Sequence, residues 1–175
     1  NTNRTRDMTP TKVTVGFDGK PTEAFRTSGG MANFLSFIKN ELIPDIDAKY
    51  RTTPYRVFVG HSLGGITTIN ALFTIPETFN AYVAIDPSLW WDNAVLLKTT
   101  KERLSNADYR NKVLYLGQAT TINPDDSTAN PHFNAMVRFN SLAQAYNKSG
   151  LRFGYKYYDD DDHGSVPLIT TYDAL

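Results

Sequence analysis

The sequence predicts an α/β fold, a three-layer α/β/α sandwich around a mainly parallel sheet, and three observations carry that expectation. Short runs rich in β-branched and aromatic residues alternate along the chain with longer stretches of helical periodicity. The first two of these runs are largely apolar, as in strands covered on both faces. A helix-length segment separates each run from the next, which is what a crossover between parallel strands requires.

From Ser28 the spacing of Phe34, Leu35, Ile38, Leu42 and Ile46 predicts an amphipathic helix, with Ser28 available as its cap. Pro44 predicts a kink or an early end near Ile43, because proline has no N–H and its ring meets the preceding turn. Residues 56–60 (Arg, Val, Phe, Val, Gly) read as the first strand and residues 66–73 as a helix. Residues 81–85 read as a second strand, stopping at Asp86, Pro87 and Ser88. A helix is expected over 95–104 and a third strand over 112–116, ending at Gly117. A polar loop runs from Gln118 to Pro131. A helix carries Phe133, Met136, Val137, Phe139, Leu142 and Tyr146, and residues 152–158 alternate as a fourth strand before four aspartates, His163 and Gly164. The 175 residues are expected to form one domain, 1–175.

Composition excludes more than it identifies. Eighteen Lys and Arg balance eighteen Asp and Glu, so no global field favours nucleic acid or an anionic membrane. The absence of cysteine excludes disulfides, thiolate metal sites and cysteine nucleophiles while fitting either redox compartment. No apolar run approaches the roughly 20 residues that span a bilayer, and the polar opening Asn1, Thr2, Asn3, Arg4 has no signal-peptide pattern. A soluble chain follows, with its compartment unassigned. The three histidines stand far apart in sequence without ligand spacing, so no metal or other cofactor is expected.

Chemistry is concentrated in Gly60, His61, Ser62, Leu63 and Gly64, the pattern Gly, any, Ser, any, Gly between a strand and a helix. Such an elbow holds a serine in a strained conformation that exposes its Oγ, and small neighbours relieve the clashes. The backbone N–H of Leu63, just after the nucleophile, is a candidate oxyanion donor. A serine needs a base. His61, inside the elbow, should point away, and His132, opening a helix, is explained by capping or exposure. His163, in the loop after the last strand, is the expected base. Chain order places the orienting acid after the third strand, where the loop offers Asp125 and Asp126; Asp126 is slightly favoured, with a Ser-His dyad as the alternative. Asp159 to Asp162 read as a solvated turn.

Taken together, the stretches Asn1 to Pro10, Ser28 to Tyr55, Val59 to Gly65 (VGHSLGG), Ile85 to Asp92 (IDPSLWWD) and Tyr157 to Tyr172 resemble the putative esterase family. This branch of the α/β hydrolases includes enterochelin-type siderophore esterases and esterase D-like enzymes. The resemblance implies Ser62 and His163 as catalytic residues, the Trp90 and Trp91 region as a wall near the substrate, and a small-molecule ester as substrate. It sets the opening segment near the site, where Arg4 and Arg6 could bind an acidic group; a structural ion-pair network of Arg4, Arg6 and Asp7 is the equal alternative. Where many members carry a carboxylate soon after the third strand, this chain has Gln118. Relatives also have an upstream half that supplies a second oxyanion donor, so a fragment incomplete at both ends, with an exposed sheet edge, is expected. The expected activity is that of a serine esterase forming an acyl-enzyme. A thioesterase or carbohydrate acyl-esterase with the same site, or an inactive binding module, is the alternative.

Overall fold

The computed structural model describes residues 3–15, 20–122 and 130–175. The chain divides into two compact units, Asn1–Arg56 and Val57–Leu175.

In the first unit a single-turn helix α1 (Arg4–Asp7) is capped by Asn3, whose Oδ1 accepts the Arg6 N–H at 3.0 Å. The helix expected from Ser28 runs as α2 (Met31–Phe37), a wider turn over Ile38–Leu42, and α3 (Ile43–Lys49). Pro44 explains the wide turn. In it the Ile43 N–H reaches back five residues to the Ile38 carbonyl, which makes room for the ring without ending the helix. Ser28 does not cap this helix. Gly30 is at the cap position, and Ser28, buried, accepts the Val13 N–H through Oγ at 2.8 Å.

The second unit is built on four strands, β1 (Val57–His61), β2 (Ala81–Ile85), β3 (Val113–Ala119) and β4 (Arg152–Tyr158). All pair parallel in the order β1-β2-β3-β4. Helix α4 (Leu63–Thr74) joins β1 to β2, α5 (Trp91–Asn106) joins β2 to β3, and α6 (Pro131–Tyr146) precedes β4; α7 (Val166–Ala174) follows it. Alternation along β3 sets the layers, because consecutive side chains point to opposite faces. A Cβ on Gly117 would lie 2.4 Å from the Thr170 side chain of α7, whereas Gln118 next to it faces the Phe133 carbonyl of α6. Helices α6 and α7 therefore cover opposite faces of the sheet.

Beneath α7 lies a core of Val83, Ile85, Ala119, Tyr158 and Val166. On the other face Phe153 meets Phe139 of α6 edge-on, with ring centroids 6.3 Å apart. Strands β1 and β4 are the sheet edges among the described residues, and Val59 on β1 is exposed.

Three elements differ from expectation. Strand β3 runs through the expected polar start of a loop to Ala119, because β4 pairs with it along its whole length, from Val113–Arg152 to Ala119–Tyr158. Gln118 is thereby buried, with its Oε1 accepting the Tyr155 hydroxyl at 2.9 Å. Helix α5 is preceded by three left-handed residues, Asp92, Asn93 and Ala94 (φ 49°, 52° and 55°), within its span. Helix α7 was masked by its β-branched Val166, Ile169, Thr170 and Thr171, although Pro167 sits in its first turn, where proline is favoured.

Candidate active site

In a parallel sheet the strands end on one side, and the loops leaving those ends meet. Ser62 follows β1, Asp86 follows β2, and His163 follows β4; His132 lies in the first turn of α6, after β3.

Ser62 occupies the turn from β1 into α4 at φ 60° and ψ −116°, a conformation that costs an L-residue roughly 1–3 kcal/mol and persists only where its surroundings hold it. Those surroundings are visible. The Ser62 N–H donates to the Ile85 carbonyl and its own carbonyl accepts the Ser88 N–H, both at 3.0 Å, which ties the elbow to the end of β2. Gly60 is required by space, since a Cβ there would come within 2.1 Å of the Gly64 carbonyl oxygen. Gly64, the second glycine of the pattern, faces open space, and it is Gly65 whose missing side chain admits Pro87. The Ser62 Oγ lies 3.3 Å from the Oγ of Ser88, which is buried. Leu63 is the first residue of α4, in the turn whose N–H groups lack intrahelical acceptors.

His163 is held on both sides. Its Nδ1 is 2.5 Å from Asp86 Oδ2, and its ring lies against that of His61, the residue before Ser62, with centroids 4.4 Å apart. The same Asp86 oxygen is 2.8 Å from His132 Nε2, and the His132 and His163 rings meet edge-on at 5.3 Å. Asp86 itself sits at a positive φ of 40°, and its Oδ1 accepts the Ala119 N–H at 2.9 Å. Its side chain is wholly buried. Burial pushes the carboxyl up, but the hydrogen bonds from His132 and His163, with that from Ala119, outweigh it and hold the group well below the usual carboxylate range. An ionised carboxylate only accepts, so His163 donates through Nδ1 and His132 through Nε2. The lone pair of His163 is then on Nε2.

Two readings of the sequence change here. The fold brings His132 and His163, which lie far apart in sequence, onto one carboxylate, and sets the His61 ring against that of His163. His132, read as a helix cap or surface residue, touches that carboxylate. Asp126 and Asp125, the acids expected from chain order, lie outside the described residues; the carboxylate on His163 Nδ1 is Asp86, which had read only as the end of a strand. The available signal was an acid at the carboxyl end of the strand beside the one that leads into Ser62.

Among the other expected residues, Trp91 is 1% exposed and packs with the half-buried Trp90, ring centroids 5.7 Å apart, so Trp90 is the one with accessible surface. Arg4 is exposed on α1 in the first unit. Arg6 is engaged by Asp7 through two N–H donors at 2.7 and 3.0 Å.

A strained serine between a parallel strand and a helix, with a histidine and a buried carboxylate supplied by later strand ends, defines a chain of the α/β-hydrolase class. It belongs to the putative esterase family, whose model, described as "Putative esterase", matches residues 8–164. Over 84% of its length the chain is 29% identical to the ferri-bacillibactin esterase BesA of Bacillus subtilis, of which it spans 51%. An IroE-like serine hydrolase from Shewanella oneidensis is similar at 36% identity and a TM-score of 0.90, over 99% of this chain and 56% of that one. The siderophore hydrolase EstA from Aspergillus nidulans follows at 28% identity and a TM-score of 0.74, over 97% of this chain and 64% of that one. The chain thus spans about half the length of the first relatives it matches.

Proposed function

We propose that this chain carries the catalytic residues of a serine esterase, with Ser62 as nucleophile, His163 as general base and Asp86 as the acid. The observation that carries the reading is the 2.5 Å contact between His163 Nδ1 and the buried Asp86 carboxylate, beside a serine held at positive φ. Asp86 fixes the tautomer in which His163 Nε2 accepts the Ser62 proton, and it stabilises the imidazolium that results. Ser62 Oγ attacks the ester carbonyl, His163 returns the proton to the departing alcohol, and water cleaves the acyl-enzyme by the same relay. The Leu63 N–H faces the developing oxyanion. His132 and the Ala119 N–H act as positioning groups on Asp86.

The substrate class is a siderophore ester, on the strength of the activities carried in the names of BesA and EstA. Trp90 offers an aromatic surface for it.

A fluorophosphonate probe tests the nucleophile: the chain is labelled and Ser62→Ala is not. Equal labelling of the variant rejects the assignment. Cleavage of a catecholate or hydroxamate siderophore ester in preference to p-nitrophenyl acetate supports the substrate class, and the reverse preference removes it.

A further inference from the structure

We propose that Asp86, His132 and His163 form a binding site for a divalent transition-metal ion of the zinc type, and that occupancy switches the esterase off. One donor atom from each residue lies within 4.8 Å of the others. Two imidazole nitrogens and one carboxylate oxygen are a donor set suited to zinc, cobalt, nickel or copper, whereas magnesium and calcium prefer oxygen alone.

The present contacts are hydrogen bonds of 2.8 and 2.5 Å to a single oxygen, Asp86 Oδ2. Tetrahedral zinc with ligand bonds of about 2.0–2.1 Å sets its donor atoms roughly 3.3 Å apart, so each contact must open by under about 1 Å. The His163 side chain is 43% exposed on the loop after β4 and His132 is 20% exposed, so an ion has a route in from the solvent side. Asp86 keeps its other oxygen on the Ala119 N–H and stays in place as the anionic ligand. Water completes the coordination, as in other three-residue sites.

The effect on turnover rests on the esterase reading above, but the ligands do not. A neutral imidazole that gives its Nδ1 lone pair to a cation carries its proton on Nε2. For His163 the proton leaves Nδ1 and Nε2 gains one; for His132 it leaves Nε2 and Nδ1 gains one, with no net release. His163 Nε2 is the atom that must accept the Ser62 proton, so the bound ion removes the base by changing its tautomer. His132 sets the affinity, because it converts a histidine–carboxylate pair into a three-residue chelate.

Zinc titrated into Ser62→Ala, followed by calorimetry, is expected to bind one ion per chain. Cobalt in its place should give the visible absorption of a nitrogen-ligated ion, and magnesium should give no heat. His132→Gln keeps an N–H for Asp86 but offers no imidazole, and it should weaken zinc by about tenfold or more. In the unaltered chain zinc should inhibit p-nitrophenyl acetate hydrolysis, with recovery on chelation, and His132→Gln should resist by the same factor. No saturable zinc binding at millimolar concentration, or equal affinity in His132→Gln, overturns the proposal. Binding by a chain that a fluorophosphonate does not label at Ser62 overturns the esterase reading and the inhibition but leaves the site; labelling and hydrolysis without binding overturn the site alone.

Discussion

The two units of the chain are held together in different ways. In residues 57–175 a four-stranded sheet is covered on both faces, with fully buried large side chains such as Tyr82, Leu114 and Phe139. In residues 1–56 the buried apolar side chains among the described residues are Met31, Leu35 and Ile38, while Phe37, Leu42, Ile46 and Tyr50 on the same helical stretch are exposed. Polar contacts carry much of that unit instead: the buried Thr9 donates to the Thr5 carbonyl at 2.6 Å and accepts the Gly29 N–H at 2.8 Å. Packing energy rises with buried apolar area, whereas a neutral hydrogen bond contributes only about 1 kcal/mol net. The groups assigned to chemistry belong to the unit that packing holds rigid, as preorganised catalysis requires.

Substitutions in the second unit should therefore act on turnover or on global folding, and those in the first should act locally. Asp86→Asn is expected to lower kcat about ten-thousand-fold, the loss that follows when a triad acid becomes an amide and the histidine loses its working tautomer. Asp126→Asn is expected to leave kcat within about twofold if Asp86 is the acid; a large loss there would return the acid to the loop after β3. Gly60→Ala drives a methyl to within 2.1 Å of the Gly64 carbonyl oxygen and should cost about 3 kcal/mol or more, read as a lower denaturation midpoint. Thr9→Val leaves the Gly29 N–H without its acceptor and should cost about 1–3 kcal/mol. Hydrogen exchange would show that loss confined to residues 3–15 and 27–38, and a uniform loss would argue that the units unfold together. Leu168→Ala, on an exposed turn of α7, should change stability by no more than about 0.5 kcal/mol.

How far the sequence could be read follows from the range of the forces involved. Strands β2 and β4 appear where residues 81–85 and 152–158 predicted them, because local pattern and buried pairing agree. The Ser62 elbow was legible because its geometry is made by adjacent glycines. Asp86 and His132 were not, since each is defined by partners 46 or more positions away. Gln118 misled for the same reason. A polar residue reads as the start of a loop until the Tyr155 hydroxyl, 37 positions later, arrives to satisfy it inside a strand. Pro44 was read correctly as a perturbation, but whether a helix breaks or widens is decided by the turns around it.

The four strand ends also set a schedule. Ser62 and its elbow are synthesised first, Asp86 soon after, and His163 only once β4 has been made. If Ser62 is the nucleophile and His163 its base, a nascent chain carries the serine and the carboxylate before the base, and reactivity waits on β4. On that reading, the appearance of fluorophosphonate reactivity during synthesis would time the docking of β4.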